Sequence, residues 1–287
     1  SIASVFLSGR TQLVKVGDKL SDIKPINRGT IQGSGIGPTD YIVMASDLRA
    51  LSRLINKLFK YADDTTLLVP EHTDVCLEDE FGALRHWAAI NKMVLNMLKT
   101  KEVVFHRPDP RLYVPPVPLA DIERVCTIKL LGVYISDTVD FGEHIKYILT
   151  VCGQRCYLLK ALRWQGLSRG HINTLFKSLI ISRLSYALPA WGGFMTKFQM
   201  GKIESFLQRA YRFGYTLKLA SICDILKDCD TVLFKRVKNA NHCIHSLLPP
   251  VKTVIMDLRR DCYELPKYHY EMFKNSFIMR NIYNNSY

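Results

Sequence analysis

The sequence predicts an α+β chain: an antiparallel sheet with helices first, then a helical region, then a C-terminal extension. Three observations predict it. Apolar residues alternate with polar ones in short runs over the first half. From about Glu143 they recur at i, i+3, i+4, i+7 instead. The charge changes with the periodicity, because residues 144–218 carry 12 lysines and arginines against a single acid, Glu204. Alternation with period two marks strands, and the longer period marks helices with one buried face.

Residues 2–7 and 11–16 alternate around Ser8-Gly9-Arg10, which predicts a hairpin. The chain begins at Ser1 inside the first of these runs, so its N-terminus is expected to be a cut end. A glycine-rich stretch, Gly29 to Gly37, leads to Pro38. Proline suits the first turn of a helix, where its missing N–H would be unpaired anyway. A helix from Pro38 to about Leu51 is expected, with Ile42, Ala45 and Leu48 on one face.

Leu58 to Val69 reads as a second hairpin with two aspartates at its middle. Leu77, Phe81, Leu84 and Ala88 have helical spacing. Lys101 to Phe105 reads as a short strand, Arg107 to Pro118 as a proline-rich loop and Ile128 to Ile135 as a strand. Ile172, Leu175, Phe176, Leu179 and Ile180 share one helix face behind Ser168, a suitable N-cap.

Composition excludes several classes. With 48% hydrophobic and 23% charged residues and no biased tract, the chain is neither collagenous nor disordered. No apolar run reaches the ~18 residues of a membrane span, and no signal peptide is expected. Eight cysteines over 287 residues do not make a disulfide framework. Cys76, Cys126 and Cys152 sit among apolar neighbours and are expected to be small buried hydrophobes. Neither Cys152/Cys156 nor His242/Cys243/His245 has zinc-knuckle spacing. The net charge of +13 falls almost wholly in residues 144–218, which carry +11 and point to a polyanionic partner.

The strongest local feature is Tyr61-Ala62-Asp63-Asp64 between two apolar runs. The runs are expected to bury the flanks and push the aspartates to the turn. Aspartates are ordinary turn residues, but two adjacent carboxylates repel and call for cations. Paired Mg²⁺ ions would neutralise them and serve phosphoryl transfer.

The segment YADDTTLL (61–68) resembles the YxDD hairpin of reverse transcriptases. Other segments resemble the same family in order. RGTIQGSGIGP (28–38) resembles its Gln-Gly loop and following helix. Trp87 to Phe105, with Asn91, Leu95, Asn96, Lys99 and Thr100, resembles the next palm motif. Leu130-Leu131-Gly132-Val133 is similar to the primer-grip strand, and Asp140 to Ile145 to its continuation. LSYALPAWG (184–192) resembles a thumb-side segment, and KNSFIMR (274–280) the C-terminal end. The family is the non-LTR retrotransposon (LINE, jockey-like) reverse transcriptases, and the resemblance is to their C-terminal portion.

The resemblance implies an RNA-directed DNA polymerase: a partial palm over residues 1–137, a basic helical thumb over 138–218 and a C-terminal extension over 219–287. It implies Asp63 and Asp64 as metal ligands and catalytic residues, Asp64 commonly the less essential, with Mg²⁺ as cofactor. Lys99 would lie near the pyrophosphate. Gln32 and Gly33 would line the nucleotide pocket, Tyr61 the floor under the primer end, and Leu131 and Gly132 would support the primer. Lys160, Arg163 and Arg169 would hold nucleic-acid phosphates. Partners implied are RNA template, DNA primer, dNTP and element RNA in a ribonucleoprotein, without a membrane, in the cytoplasm and nucleus.

The sequence also departs from that pattern. The family's third carboxylate lies on a strand upstream of the first hairpin, and no such segment is present. Asp18 and Asp22 come too late to replace it. Ile31 stands where proline is usual, and Asp40 where an apolar residue is usual. The chain is therefore expected to descend from a polymerase but to be a poor catalyst alone. The alternatives are a truncated product that only binds nucleic acid, or an inert remnant with an exposed sheet edge.

Overall fold

The computed structural model describes residues 9–26, 35–107, 114–251, 263–267 and 270–285. Among the described residues the small ladders all end by Ser136 and helices dominate the remainder, so the fold is α+β. The chain divides into two compact units, Ser1–Glu102 with Val117–Arg124, and Val103–Pro116 with Val125–Tyr287.

In the first unit, Thr11–Gln12 (β1) pairs antiparallel with Lys24–Pro25 (β4), and Lys15–Val16 (β2) with Lys19–Leu20 (β3). The run at 11–16 thus folds forward over Gly17-Asp18. Gly17 supplies φ +61° at the first turn position, which a two-residue hairpin loop favours. The expected partner strand, residues 2–7, lies outside the described residues, as do Gln32 and Gly33.

Gly37–Met44 forms helix α1, with Pro38 in its first turn. It stops well before Leu51. Ser46 Oγ donates to Val43 O at 2.7 Å, and Lys60 Nζ donates to Ala45 O and Leu48 O at 2.5 and 2.9 Å. These bonds satisfy end carbonyls that further helix would otherwise have used. Of the expected face, Ala45 and Leu48 are buried but Ile42 is exposed. Asp40 is half-buried in the first turn, where the helix dipole favours an acid.

Lys57–Tyr61 (β5) and Asp64–Leu68 (β6) form the second hairpin. Leu77–Ile90 forms α2 with Glu78, Asp79 and Glu80 in its first turn. Lys101–Glu102 (β7) runs parallel to Glu123–Arg124 (β8), where Arg124 grips the Glu102 carboxylate through two nitrogens at 3.1 and 2.8 Å.

The second unit begins with Thr127–Leu130 (β9) and Val133–Ser136 (β10), an antiparallel pair. The strand expected at 128–135 is therefore a hairpin, turning at Leu131-Gly132. The helices follow: Gly142–Trp164 (α3), Arg169–Phe176 (α4), a π-helical turn at Lys177–Ile181, Ser182–Ser185 (α5), Leu188–Trp191 (α6), Lys197–Arg212 (α7) and Ile222–Val237 (α8). Ser168 caps α4 by accepting from His171 N, as its position predicted. Thr196 and Gln199 form a reciprocal capping box on α7. The π-helical turn leaves Leu179 O to accept from Arg155 Nη1 at 2.5 Å.

Cys152, Leu159, Ile172, Phe176, Ile180, Leu184, Leu188 and Trp191 are all buried in one core. At about 25 cal/mol per Å² of apolar surface, burial of such side chains is what holds helices of this polarity together. A second core joins Phe234 and Val237 of α8 to Ile278, Met279 and Ile282 of the final helix, Phe277–Asn285 (α10), which follows the short Glu271–Lys274 (α9). No helix among the described residues is long and apolar enough to cross a membrane.

The antiparallel sheet expected for the first half is realised as separate two-stranded ladders. A ladder of two strands buries neither face well. The cysteines also differ from expectation: Cys76 and Cys126 are exposed, and Cys152 alone of the three is buried.

Candidate active site and nucleic-acid interface

The β5–β6 register pairs Tyr61 with Asp64, leaving Ala62 and Asp63 as a two-residue turn. Ala62 has φ +50°, a region that costs an L residue about 1–2 kcal/mol. Strain of this kind persists where surrounding structure enforces it. Lys60, anchored on the carbonyls after α1, is one such restraint. Asp63 therefore stands at the turn, and Asp64 opens the returning strand.

Both aspartates are exposed, and so are the flanks: Phe59, Tyr61 and Leu68 are 58%, 68% and 46% exposed. The expected burial of the flanks does not occur because no third strand pairs with this hairpin among the described residues. Tyr41 of α1 lies near enough to feel Asp63: partial burial first, then the Asp63 charge, raise its hydroxyl pKa. Nothing in the sequence pattern pointed to Tyr41.

A buried carboxylate supports the approach to the hairpin. Glu80 accepts from Leu51 N and Ser52 N at 2.8 Å and from Asn56 Nδ2 at 2.9 Å. Burial pushes its carboxyl up, but these donors outweigh burial and hold it below the usual range. Thr73 Oγ1 donates to Asn56 Oδ1 at 2.6 Å, so the loop before β5 is bonded on both sides.

Lys99 is exposed and forms no ion pair with Asp63 or Asp64 among the described residues. Its neighbours explain the local shape: Asn96 O accepts from Lys99 N and from both Thr100 N and Oγ1, at 3.0–3.1 Å. No group of three His, Cys, Asp or Glu able to hold a metal occurs among the described residues. Burial pushes the Cys152 and Cys156 thiols up to about 11, which disfavours the thiolates zinc needs.

In the second unit, Leu131 and Gly132 both take left-handed conformations, φ +46° and +90°. Tyr186 OH donates to Leu131 O at 2.7 Å, and its ring lies 3.4 Å from where a Gly132 Cβ would be. Trp191 Nε1 in turn donates to Tyr186 O at 3.1 Å. Two segments singled out in the sequence, LLGV and LSYALPAWG, therefore meet. His144, from the continuation of the first, is buried with its ring 5.0 Å edge-on from Trp191. Tyr134 N approaches its Nδ1 at 3.4 Å, and its Nε2 has no hydrogen-bond partner among the described residues. Burial first and the Arg183 charge second pull its pKa down to about 4.

The three cations assigned to phosphates have different surroundings. Lys160 is exposed on α3. Arg163 Nη1 donates to Phe213 O at the end of α7. Arg169 reaches the same place, since a Cβ on Gly214 would lie 3.3 Å from a nitrogen of each arginine. Arg163 thus also caps a carbonyl at the end of α7, a role its spacing did not reveal.

No protein-family model matches the chain, and no solved structure matches it. Two curated proteins are similar. The RNA-directed DNA polymerase from mobile element jockey of Drosophila melanogaster is 29% identical over 210 residues, 67% of this chain and 22% of that protein. The probable RNA-directed DNA polymerase from transposon BS, also of Drosophila melanogaster, is 25% identical over 227 residues, 72% of this chain and 24% of that protein.

Both similar proteins carry the name of an RNA-directed DNA polymerase of a mobile element, the second as a probable one. The chain spans less than a quarter of the length of either polymerase.

Proposed function

We propose that this chain is the part of a LINE-type reverse transcriptase that carries the catalytic hairpin and the thumb. The observation that carries the proposal is the β5–β6 hairpin, with Asp63 held at a strained two-residue turn and Asp64 beside it. On this reading residues 1–137 derive from the palm, 138–218 form the thumb and 219–287 extend it. The β9–β10 hairpin belongs physically with the helices that follow it.

Exposed carboxylate oxygens on Asp63 and Asp64 are the hard donors Mg²⁺ takes, alongside water. Bound there, Mg²⁺ would supply charge neutralisation and Lewis-acid activation for transfer of a nucleotide to a primer end. Tyr61, paired with Asp64, would support that end, and the rigid turn at Leu131-Gly132 would hold the primer strand. Lys99 would offer a cation to pyrophosphate, and Gln32 and Gly33 would contact the incoming dNTP. Lys160, Arg163 and Arg169 would hold the RNA–DNA duplex by its phosphates, which positions without reading sequence.

A binding-only role is favoured by one observation: the hairpin offers two carboxylates, and no third metal-ligating side chain joins them among the described residues. Both readings require duplex binding. Fluorescence anisotropy with labelled RNA–DNA hybrids of two sequences tests this. Replacing Lys160, Arg163 and Arg169 together by Ala should weaken both hybrids equally and flatten the salt slope by about 0.9 per lost phosphate contact. A loss confined to one sequence, with the variant still folded, would contradict phosphate docking.

A further inference from the structure

Two clefts lie between α3 and α7, and Leu149 lines both. The first, about 340 Å³, is walled by Tyr157 and Lys160 of α3 and by Arg209 and Phe213 near the end of α7. The second, about 600 Å³, has Lys146 on one side and Phe198 and Lys202 on the other. Together they form one trench along the helix pair. Lys146 and Lys160 are 14 residues apart on α3, roughly 20 Å along its axis.

The trench combines two features that packing does not explain. Tyr157, Phe198 and Phe213 leave 70%, 73% and 59% of their surface in water. Gly153, midway along α3, lines the first cleft, yet a Cβ there would meet nothing within 4 Å among the described residues. A glycine that weakens a helix without admitting a neighbour keeps space open above the trench floor. The cations share the trench with a single carboxylate, Glu143 at its end, which pairs with Lys146 at 3.8 Å. Lys202 Nζ sits 4.4 Å over the Phe198 ring.

We propose that this trench binds single-stranded nucleic acid, with bases stacked on Tyr157, Phe198 and Phe213 and phosphates on the lysines and Arg209. The class of partner rests on the proposed polymerase lineage and on the +11 charge of residues 144–218. The single-stranded form rests on the rings, because a base offers its face to an aromatic side chain only when unpaired. Cationic grooves with successive aromatic platforms bind single strands in this way, with little sequence preference.

The test is fluorescence anisotropy on the full chain with three labelled probes: an eight-nucleotide oligo-dT, an abasic oligomer of equal length and charge, and an RNA–DNA hybrid. The expected result is oligo-dT binding about tenfold or more tighter than the abasic strand at one salt concentration. Tyr157→Ala with Phe213→Ala should erase that difference and leave hybrid binding unchanged. Gly153→Leu, which raises helix propensity, should weaken oligo-dT binding in a chain that stays folded. Equal affinity for oligo-dT and abasic strand would overturn the proposal, as would Gly153→Leu without effect. Failure of the native chain to bind the hybrid would instead count against the polymerase lineage, so the two outcomes are separable.

Discussion

The hydroxyl of Tyr186 donates a 2.7 Å hydrogen bond to the backbone carbonyl of Leu131, 55 residues earlier in the chain. It closes a turn in which both residues are left-handed, and Ala187, next to Tyr186, is left-handed as well at φ +51°. Strain on both sides of one contact means the surrounding core enforces it. Tyr186→Phe should cost about 1 kcal/mol, the usual net value of one hydrogen bond. Gly132→Ala should cost more, about 1–2 kcal/mol from the left-handed backbone alone. Urea denaturation of both variants checks the order, and an innocuous Gly132→Ala would remove the argument.

His144 makes stability depend on pH. Its pKa falls from the ordinary 6.5 to about 4 in the fold, so the unfolded chain binds the proton more readily. The stabilisation is fully present above pH 6.5 and is lost as pH falls toward 4. About 1.4 kcal/mol per pH unit gives a total of about 3 kcal/mol. His144→Phe should flatten that part of the stability–pH curve measured by denaturant titration. An unchanged curve would contradict a buried neutral imidazole.

A buried ion pair adds to the apolar core that holds the C-terminal helix. Arg280 Nε and Nη2 donate to the Asp230 carboxylate at 2.7 and 2.6 Å, and Nη2 also reaches Pro189 O at 2.7 Å. The pair is buried, and Gly193 admits the segment: a Cβ there would lie 2.2 Å from Asn275 O. Asp230→Ala should cost about 3–5 kcal/mol by leaving a buried guanidinium unpaired. Replacing both partners, Asp230→Leu with Arg280→Met, should cost much less. Equal losses in thermal unfolding would show that the charges themselves do not matter.

Ala62 occupies a turn position that glycine fills without strain. Ala62→Gly should relax the hairpin by about 1 kcal/mol, less the entropy a glycine adds to the unfolded chain. Hydrogen exchange of the amides in Lys57–Leu68 reads this locally, and slower exchange in the variant is expected. Faster exchange would mean the left-handed backbone at Ala62 carries no penalty.

What the sequence made legible depended on periodicity. The faces of α2 and of the α4 region followed from apolar spacing, and Ser168 capped where its side chain permitted. The β5–β6 hairpin was also legible, because two short apolar runs flank turn-forming aspartates. The β9–β10 turn was not, since Leu131 is a poor residue for φ +46° and its bond to Tyr186 comes from far away in sequence. Burial depends on the third dimension, so the exposure of Phe59, Tyr61 and Cys126 could not be read from local pattern. Tyr41 beside Asp63, Glu80 beneath the loop before β5 and Lys60 on the end of α1 are likewise contacts between distant segments. Of the predicted site residues, Asp63 and Asp64 adjoin by sequence, and Gln32 and Gly33 lie outside the described residues.

On the proposed reading, this chain carries a polymerase hairpin and binds primer–template, but the two hairpin carboxylates are one short of the set a two-metal site needs. Primer extension on poly-rA/oligo-dT with Mg²⁺, comparing the native chain with Asp63→Ala, tests it most directly. Both proteins should retain the labelled duplex at low salt, and neither should lengthen the primer. Extension by the native chain that disappears in Asp63→Ala would contradict it, by showing that a further ligand in these 287 residues completes the site.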